Sequence, residues 1–301
     1  MPTSNNIAPG APGTKPRWTS SAKDGIGTAY HTSSRLWFTL SHGIVNEVYY
    51  PHVDKPNTRD LQFLISDGDT FCHEERRDLD HLTEYPEKNV LLYRLMNSDR
   101  KGRYRIVKEV IGEPHSSILL MHTRLEVLDP KLRGKLRLYA LLAPHLNGTG
   151  QNNSARWCNR GGRKFFRAER EDVHMVFGCA PDFTRRSVGY VGHSDGWQDL
   201  MDNFQMDWEF DQAQDRTMAL IWQRTRSSST TRMRWSRGVS YSDDVPTCSQ
   251  VCLMLSSASE RDLASPRCTA SNRPADSLRR GIRLYHASYF ILQCLYCGIC
   301  D

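Results

Sequence analysis

Lysine vanishes from this chain after Lys164, the ninth and last of them. Cysteine does the reverse, with six of nine between Arg216 and Asp301. Charge is equally lopsided. Basic and acidic residues balance up to Asp215, and 12 Arg then face 6 acids, so the whole formal charge of +6 falls in the last 86 residues. Nothing approaches the roughly 18 apolar residues of a membrane span, which excludes a helical membrane protein. The first 24 residues, MPTSNNIAPGAPGTKPRWTSSAKD, hold no apolar core of a secretory signal. A soluble, reducing, cytoplasmic setting is therefore expected, with Cys72, Cys158 and Cys179 as free thiols. There is no Gly-x-Ser-x-Gly elbow, no internal repeat and no convincing amphipathic helix before residue 215. Nucleic-acid modules interleave Lys, aromatics and Gly in recognisable motifs. None occurs here, so no nucleic-acid partner and no membrane partner is expected.

What is present is a period of two. FQMDWEFD (204–211) puts Phe204, Met206, Trp208 and Phe210 on one face and Gln205, Asp207, Glu209 and Asp211 on the other, which predicts a half-buried strand. SILLMHTRLEVL (117–128) alternates likewise, with Leu119, Met121, Leu125 and Val127 inward. KLRLYALL (135–142) and DVHMVF (172–177) are shorter examples. NVLLYRLM (89–96) is apolar on both faces, as a central strand would be. Turn signals separate these runs: SDGD (66–69), SDRKGR (98–103), LDPKLRG (128–134) and HLNGTGQNNS (145–154). The fold class is all-β, a large antiparallel sandwich. Residues 1–25 read as an extended arm.

Several chemical readings fail on spacing. Adjacent Ser41 and His42 on a strand point to opposite faces, so they form no nucleophile–base pair. Asp207, Glu209 and Asp211 share one strand face in steps of roughly 7 Å, as on any solvated face. Glu74-Glu75-Arg76-Arg77-Asp78 reads as a solvated charge run. Cys294, Cys297 and Cys300 have ligand-like spacing, with Cys248, Cys252, Cys268 and His286 available to complete a zinc site. They lie in the aberrant tail, however, and no metal or other cofactor is expected. No catalytic residue is assigned. Tyr49, Tyr50 and Asp54 flank Pro51, and aromatic faces beside a carboxylate at a loop rim suit a sugar or a domain interface equally. Trp157, Tyr190 and Trp197, in or beside Gly-rich turns, are candidate sugar-stacking rings, with core packing as the competing reading.

Three blocks decide the family. WTSSAKDGIGTAYHTSSRLWFTLSHGIVNEVYYPHVDKPNTRDLQFLISDG (18–68), LRLYALLAPHLNG (136–148) and VGYVGHSDGWQDLMDNFQMDWEFDQAQD (188–215) resemble, in order, the N-terminal domain of the bacterial glucoamylase and glucodextranase group, glycoside hydrolase family 15. The resemblance implies a super-β-sandwich, galactose-mutarotase-like, over residues 26–222. In the family it packs against an (α/α)6 barrel holding two catalytic glutamates that hydrolyse α-glucosidic bonds. Nothing in this chain matches the barrel. The expectation is therefore a non-catalytic domain of a glucoamylase-like enzyme (glucan 1,4-alpha-glucosidase or glucodextranase type), with α-glucan as its partner. A carbohydrate-binding module is the alternative, and a zinc- or nucleic-acid-binding tail a lesser one. The family also includes periplasmic and secreted members. After about residue 222 similarity, periodicity and Lys all end together. Residues 223–301 are therefore read as an aberrant, out-of-frame tail that leaves the sandwich incomplete and adds little to its core. The 4-3-4 spacing of Tyr285, Tyr289, Leu292 and Tyr296 permits one helix there.

Overall fold

The computed structural model describes residues 6–160, 162–180, 183–224 and 247–257. In chain order its elements are β1 (Gly25–Thr28), β2 (Trp37–Ser41), β3 (Ile44–Tyr49), β4 (Thr58–Ser66), β5 (Cys72–Glu74), α1 (Glu75–Asp78), β6 (Leu79–Glu84), β7 (Tyr93–Asp99), β8 (Tyr104–Gly112) and β9 (Ile118–Val127). Then follow β10 (Arg137–Pro144), β11 (Asn153–Arg160), β12 (Arg163–Arg170), β13 (Val173–Ala180), β14 (Phe183–Tyr190), α2 (Gly196–Asn203), β15 (Gln212–Arg216), β16 (Met218–Arg224) and β17 (Thr247–Ser257). They form two antiparallel sheets. One has the order β1-β2-β3-β4-β10-β16-β14 with β5 added to β4, and the other β15-β11-β12-β13-β17-β9-β8-β7-β6.

Period-two alternation explains the layering. Tyr93 and Leu95 of β7, Tyr104 and Ile106 of β8, and Met121 and Leu125 of β9 meet Phe38, Leu40, Phe63 and Trp222 of the facing sheet in one buried core. On the outside of the eight-stranded sheet a second apolar layer forms from Leu64, Tyr139, Leu141, Ile221, Leu200 and Met206. Strand β10 is buried along both faces, because it is central and α2 lies outside it. NVLLYRLM differs from expectation. Its strand begins only at Tyr93, alternates in burial, and lies next to the edge strand β6.

Three further expectations are corrected. FQMDWEFD forms no strand and joins no ladder. Phe204 adopts a left-handed conformation (φ 65°) that ends α2, and the Asp199 carboxylate accepts the N–H groups of Asp207 (2.9 Å) and Trp208 (2.8 Å). The alternation still directs Met206 into the second apolar layer, while Phe204, Trp208 and Phe210 are half-buried. Helix α2 was not foreseen. It starts because Asp195 caps the N–H groups of Trp197 (2.9 Å) and Gln198 (3.1 Å), and it is too short for its period to stand out. Finally, β17 lies inside the tail expected to contribute little. It runs between β13 and β9, paired along both edges, with Leu253 buried. Val251, Leu253 and Leu255 do alternate with Cys252, Met254 and Ser256, but the Arg/Ser-rich stretch before them hid that short run. Tyr285, Tyr289, Leu292 and Tyr296, like Cys268, His286, Cys294, Cys297 and Cys300, lie outside the described residues.

The arm is held along its whole described length. Ala8 N donates to Gln212 O (3.0 Å), Thr14 N to Val191 O (2.9 Å), Ser194 Oγ to Pro9 O (2.7 Å) and Asn46 Nδ2 to Thr19 Oγ1 (2.6 Å). Lys23 pairs with Glu47 at 2.8 Å. At the opposite end of the chemistry, Tyr93 closes the free edge of β1: its hydroxyl accepts from Ile26 N (3.0 Å) and donates to Ile26 O (2.5 Å).

Candidate functional site

The Tyr49-Tyr50-Pro51 loop is a joint. Asn57 Nδ2 donates to Tyr50 O and Lys55 O, both at 2.8 Å, and Asn57 Oδ1 accepts from Asn147 N at 3.0 Å. Gly148 N donates to Pro56 O at 2.8 Å. Two of the blocks read from the sequence, 18–68 and 136–148, thus meet through residues 56–57 and 145–148. Tyr50 is buried, with the Arg35 guanidinium 5.7 Å from its ring centre. Tyr49 is half-buried and Asp54 exposed. Burial, and then the Glu47 carboxylate, raise the Tyr49 phenol above its ordinary pKa.

The other three candidates lie apart. Trp157 belongs to the nine-stranded sheet, edge-on to Phe166 with the Arg186 guanidinium 4.8 Å over its ring. Tyr190 is buried, and its hydroxyl accepts from Gln214 N at 3.1 Å. Trp197 rides on α2, its indole donating to Glu74 Oε2 at 3.2 Å and its ring facing Arg77.

Ser41 and His42 do touch, at 3.1 Å. His42 (φ 51°) and Gly43 (φ 70°) form the β2–β3 turn, and its left-handed backbone brings the imidazole round. Ser41 is nevertheless buried and donates to Asn46 Oδ1 at 2.8 Å. Asp207, Glu209 and Asp211 are paired with Arg185 and Arg186. Neither set is arranged as an acid–base pair.

The charge run 74–78 corrects a second expectation, because its two glutamates are buried on opposite sides of one sheet. Glu75 points between the sheets. It accepts from Lys108 Nζ (2.7 Å), Asn97 Nδ2 (2.6 Å) and Phe63 N (2.7 Å), and Lys108 Nζ also donates to Gly43 O (2.7 Å). Both charges are 0% exposed. Burial depresses the Lys108 ammonium and Glu75 opposes it. The sequence held a trace of this pair, since Lys108 stands at an inward position between Ile106 and Val110, where a cation requires a partner.

Glu74 points outward, into a polar layer that sequence reasoning missed. It accepts from Gln62 Nε2 at 3.1 Å and Trp197 Nε1 at 3.2 Å, and Arg77 lies 3.2 Å away. On neighbouring β4, Arg59 donates to both oxygens of buried Asp60 (3.1 and 3.2 Å). Burial pulls the Arg59 pKa down, but Asp60, Glu74 and Asp195 together carry it above its ordinary value. Burial lowers the His145 pKa to about 4, and the positive charge of Arg59 assists. Desolvation raises Asp195 despite three backbone N–H donors. Trp18, from the arm, meets the His145 ring edge-on at 4.8 Å. Among the described residues no group of three His, Cys, Asp or Glu could hold a metal ion.

Comparison with known proteins gives one family. A curated glucoamylase of Clostridium sp. (strain G0005) is 33% identical over 211 residues, covering 69% of this chain and 30% of its own length. The crystal structure of a bacterial glucoamylase complexed with acarbose superposes with a TM-score of 0.76 at 26% identity, over 85% of this chain and 35% of that one. The chain thus spans about a third of the length of these relatives. The family described as glucodextranase, domain N, matches residues 8–243, past the composition break at 222. A two-sheet antiparallel sandwich carrying that match across most of its length is a member of the glucodextranase domain N family.

Proposed function

We propose that this chain acts as the non-catalytic N-terminal sandwich of a glucoamylase-type glycoside hydrolase, whose intact form hydrolyses α-glucosidic bonds. The observation that carries this reading is the continuous family match over residues 8–243 on a fold that superposes on about a third of a bacterial glucoamylase. The partner that follows is an α-glucan, handled chiefly by the catalytic portion of such an enzyme. Half-buried Tyr49 and Trp197 and exposed Asp54 are the residues we assign to contact with that portion or with sugar. Buried Tyr50 and Tyr190, and Trp157 beneath Arg186, support the fold from within.

Two measurements test the reading. Glucose release from maltooligosaccharides by the chain alone should stay at the buffer control, and an enzyme-like turnover overturns it. Co-expressed with the remaining part of the Clostridium glucoamylase, the chain should co-purify with it, and failure to associate counts against the companion role. The composition break is a separate matter, which we read as a change of reading frame. Strand β17, laddered on both edges, is the observation against that. The nucleotide sequence across codons 213–226 decides: a second frame restoring the lost pattern supports it, and an uninterrupted gene ends it.

A further inference from the structure

Asn147-Gly148 is the only Asn-Gly pair in the chain, and such a pair carries its own chemistry. The Gly nitrogen can attack the Asn side-chain carbonyl carbon, because no Cβ on the glycine shields it. A C–N bond forms to close a five-membered imide. The side-chain nitrogen leaves as ammonia, taking the proton of the attacking amide. Water then opens the ring to Asp or iso-Asp. The pair stands at the surface, with Gly148 exposed and Asn147 half-buried, so water reaches it.

Three hydrogen bonds hold the pair away from that reaction. Asn147 N donates to Asn57 Oδ1 (3.0 Å), Asn147 Nδ2 to Glu171 Oε2 (3.0 Å) and Gly148 N to Pro56 O (2.8 Å). The last engages the N–H that must attack. The backbone adds a second barrier. Asn147 is left-handed (φ 53°, ψ 37°), and at that ψ its Cβ and the Gly148 nitrogen stand nearly opposite about the Cα–C bond. Ring closure needs them on the same side. Cyclisation therefore waits for the joint between residues 56–57 and 145–148 to open, and its rate follows the open fraction. The product fits the closed joint poorly. A carboxylate at 147 takes the place of the donor to Glu171 and adds a like charge beside it. Iso-Asp also lengthens the main chain by one carbon ahead of Gly148, which displaces the N–H that Pro56 O accepts.

We infer that Asn147-Gly148 is a self-modification site gated by this joint. Closed, the joint preserves the amide; opened, it lets the amide convert irreversibly to a carboxylate that weakens reclosure. The inference stands apart from the glycosidase reading. The full chain is incubated at mildly alkaline pH, folded or in urea. The peptide carrying residue 147 is followed by mass spectrometry, and iso-Asp is counted by isoaspartyl methyltransferase labelling. The chain in urea should convert, and the folded chain should do so at least about tenfold more slowly. Glu171→Gly suits the left-handed backbone at 171 (φ 52°) and removes the side-chain anchor. It should speed conversion of the folded chain by about threefold. Asn57→Ala, which removes the backbone anchor, should speed it further if it folds. Asn147→Asp should lower the Tm. Equal rates in the folded and unfolded chain, or no acceleration in Glu171→Gly, overturn the gating. No conversion at 147 in urea overturns the site itself. An unchanged Tm in Asn147→Asp overturns the weakened reclosure.

Discussion

The two outer faces of the sandwich treat charge in opposite ways. On the nine-stranded sheet, Arg94–Glu109 (2.8 Å), Arg105–Glu126 (3.3 Å), Arg124–Glu126 (2.7 Å) and Arg167–Glu169 (2.9 Å) lie in the open. The first two run across strand neighbours, and the other two join alternate residues on one face of a single strand. On the eight-stranded sheet, Glu47, Asp60, Glu74 and His145 are covered by the arm and by α2. The same residue types are a solvated coat on one side and a structural layer on the other. Burial, not charge, sets how much each is worth, because water screens the first set and desolvation penalises every unpaired member of the second.

That contrast can be broken most severely between the sheets. Lys108→Met should destabilise by about 3–5 kcal/mol in chemical denaturation, because it strands the Glu75 carboxylate. Pairing it with Glu75→Gln should recover much of the loss. Next comes pH. His145 titrates at about 4 in the fold, below the 6.5 of an unperturbed imidazole, so the unfolded chain takes up the proton first. Stability is full above about pH 6.5 and falls as pH drops toward 4, by up to ~3 kcal/mol. His145→Gln should flatten that segment of a stability–pH profile. Glu109, held near 2 chiefly by its hydrogen bond to His122 and by Arg94, contributes stability that is intact above about pH 4.5 and is lost as pH falls from there toward 2, largely below the His145 window.

Smaller effects sharpen the comparison. Asp195→Ala removes the cap of α2 and should cost about 1–2 kcal/mol, read as a lowered Tm. Tyr93→Phe leaves Ile26 uncapped and should cost about 1 kcal/mol. Arg94→Ala, on the exposed coat, should change stability by no more than about 0.5 kcal/mol. A loss there as large as that of Asp195→Ala would contradict the division between the two faces.

How far the sequence foretold this can be judged residue by residue. Leu119, Met121 and Leu125 went inward as their spacing required, since side-chain direction on a strand is a local property. So did the sandwich class, and the resemblance carried by three blocks. What stayed hidden was non-local. Glu74 and Glu75 look like any charge run until β4 and Lys108 arrive from either side. Trp18 looks like part of a loose arm until His145, 127 positions later, fixes its edge. The FQMDWEFD segment kept its alternation but lost its ladder, because a short helix capped by Asp195 redirected the chain just before it.

Strand β17 has a consequence for how the molecule is made. Among the described residues it is the only strand laddered to both the β15-β11-β12-β13 half and the β9-β8-β7-β6 half. Its partners lie near residues 120 and 176, so both pairings span long stretches of chain. Such closures are slow, because loop entropy is spent before any contact is gained. During synthesis the two halves emerge and pair internally, then wait with β9 and β13 unsatisfied until residues past 250 leave the ribosome. Over that interval the nascent chain presents two open strand borders to its neighbours. The efficiency of its biogenesis therefore depends on how quickly one late segment finds the gap.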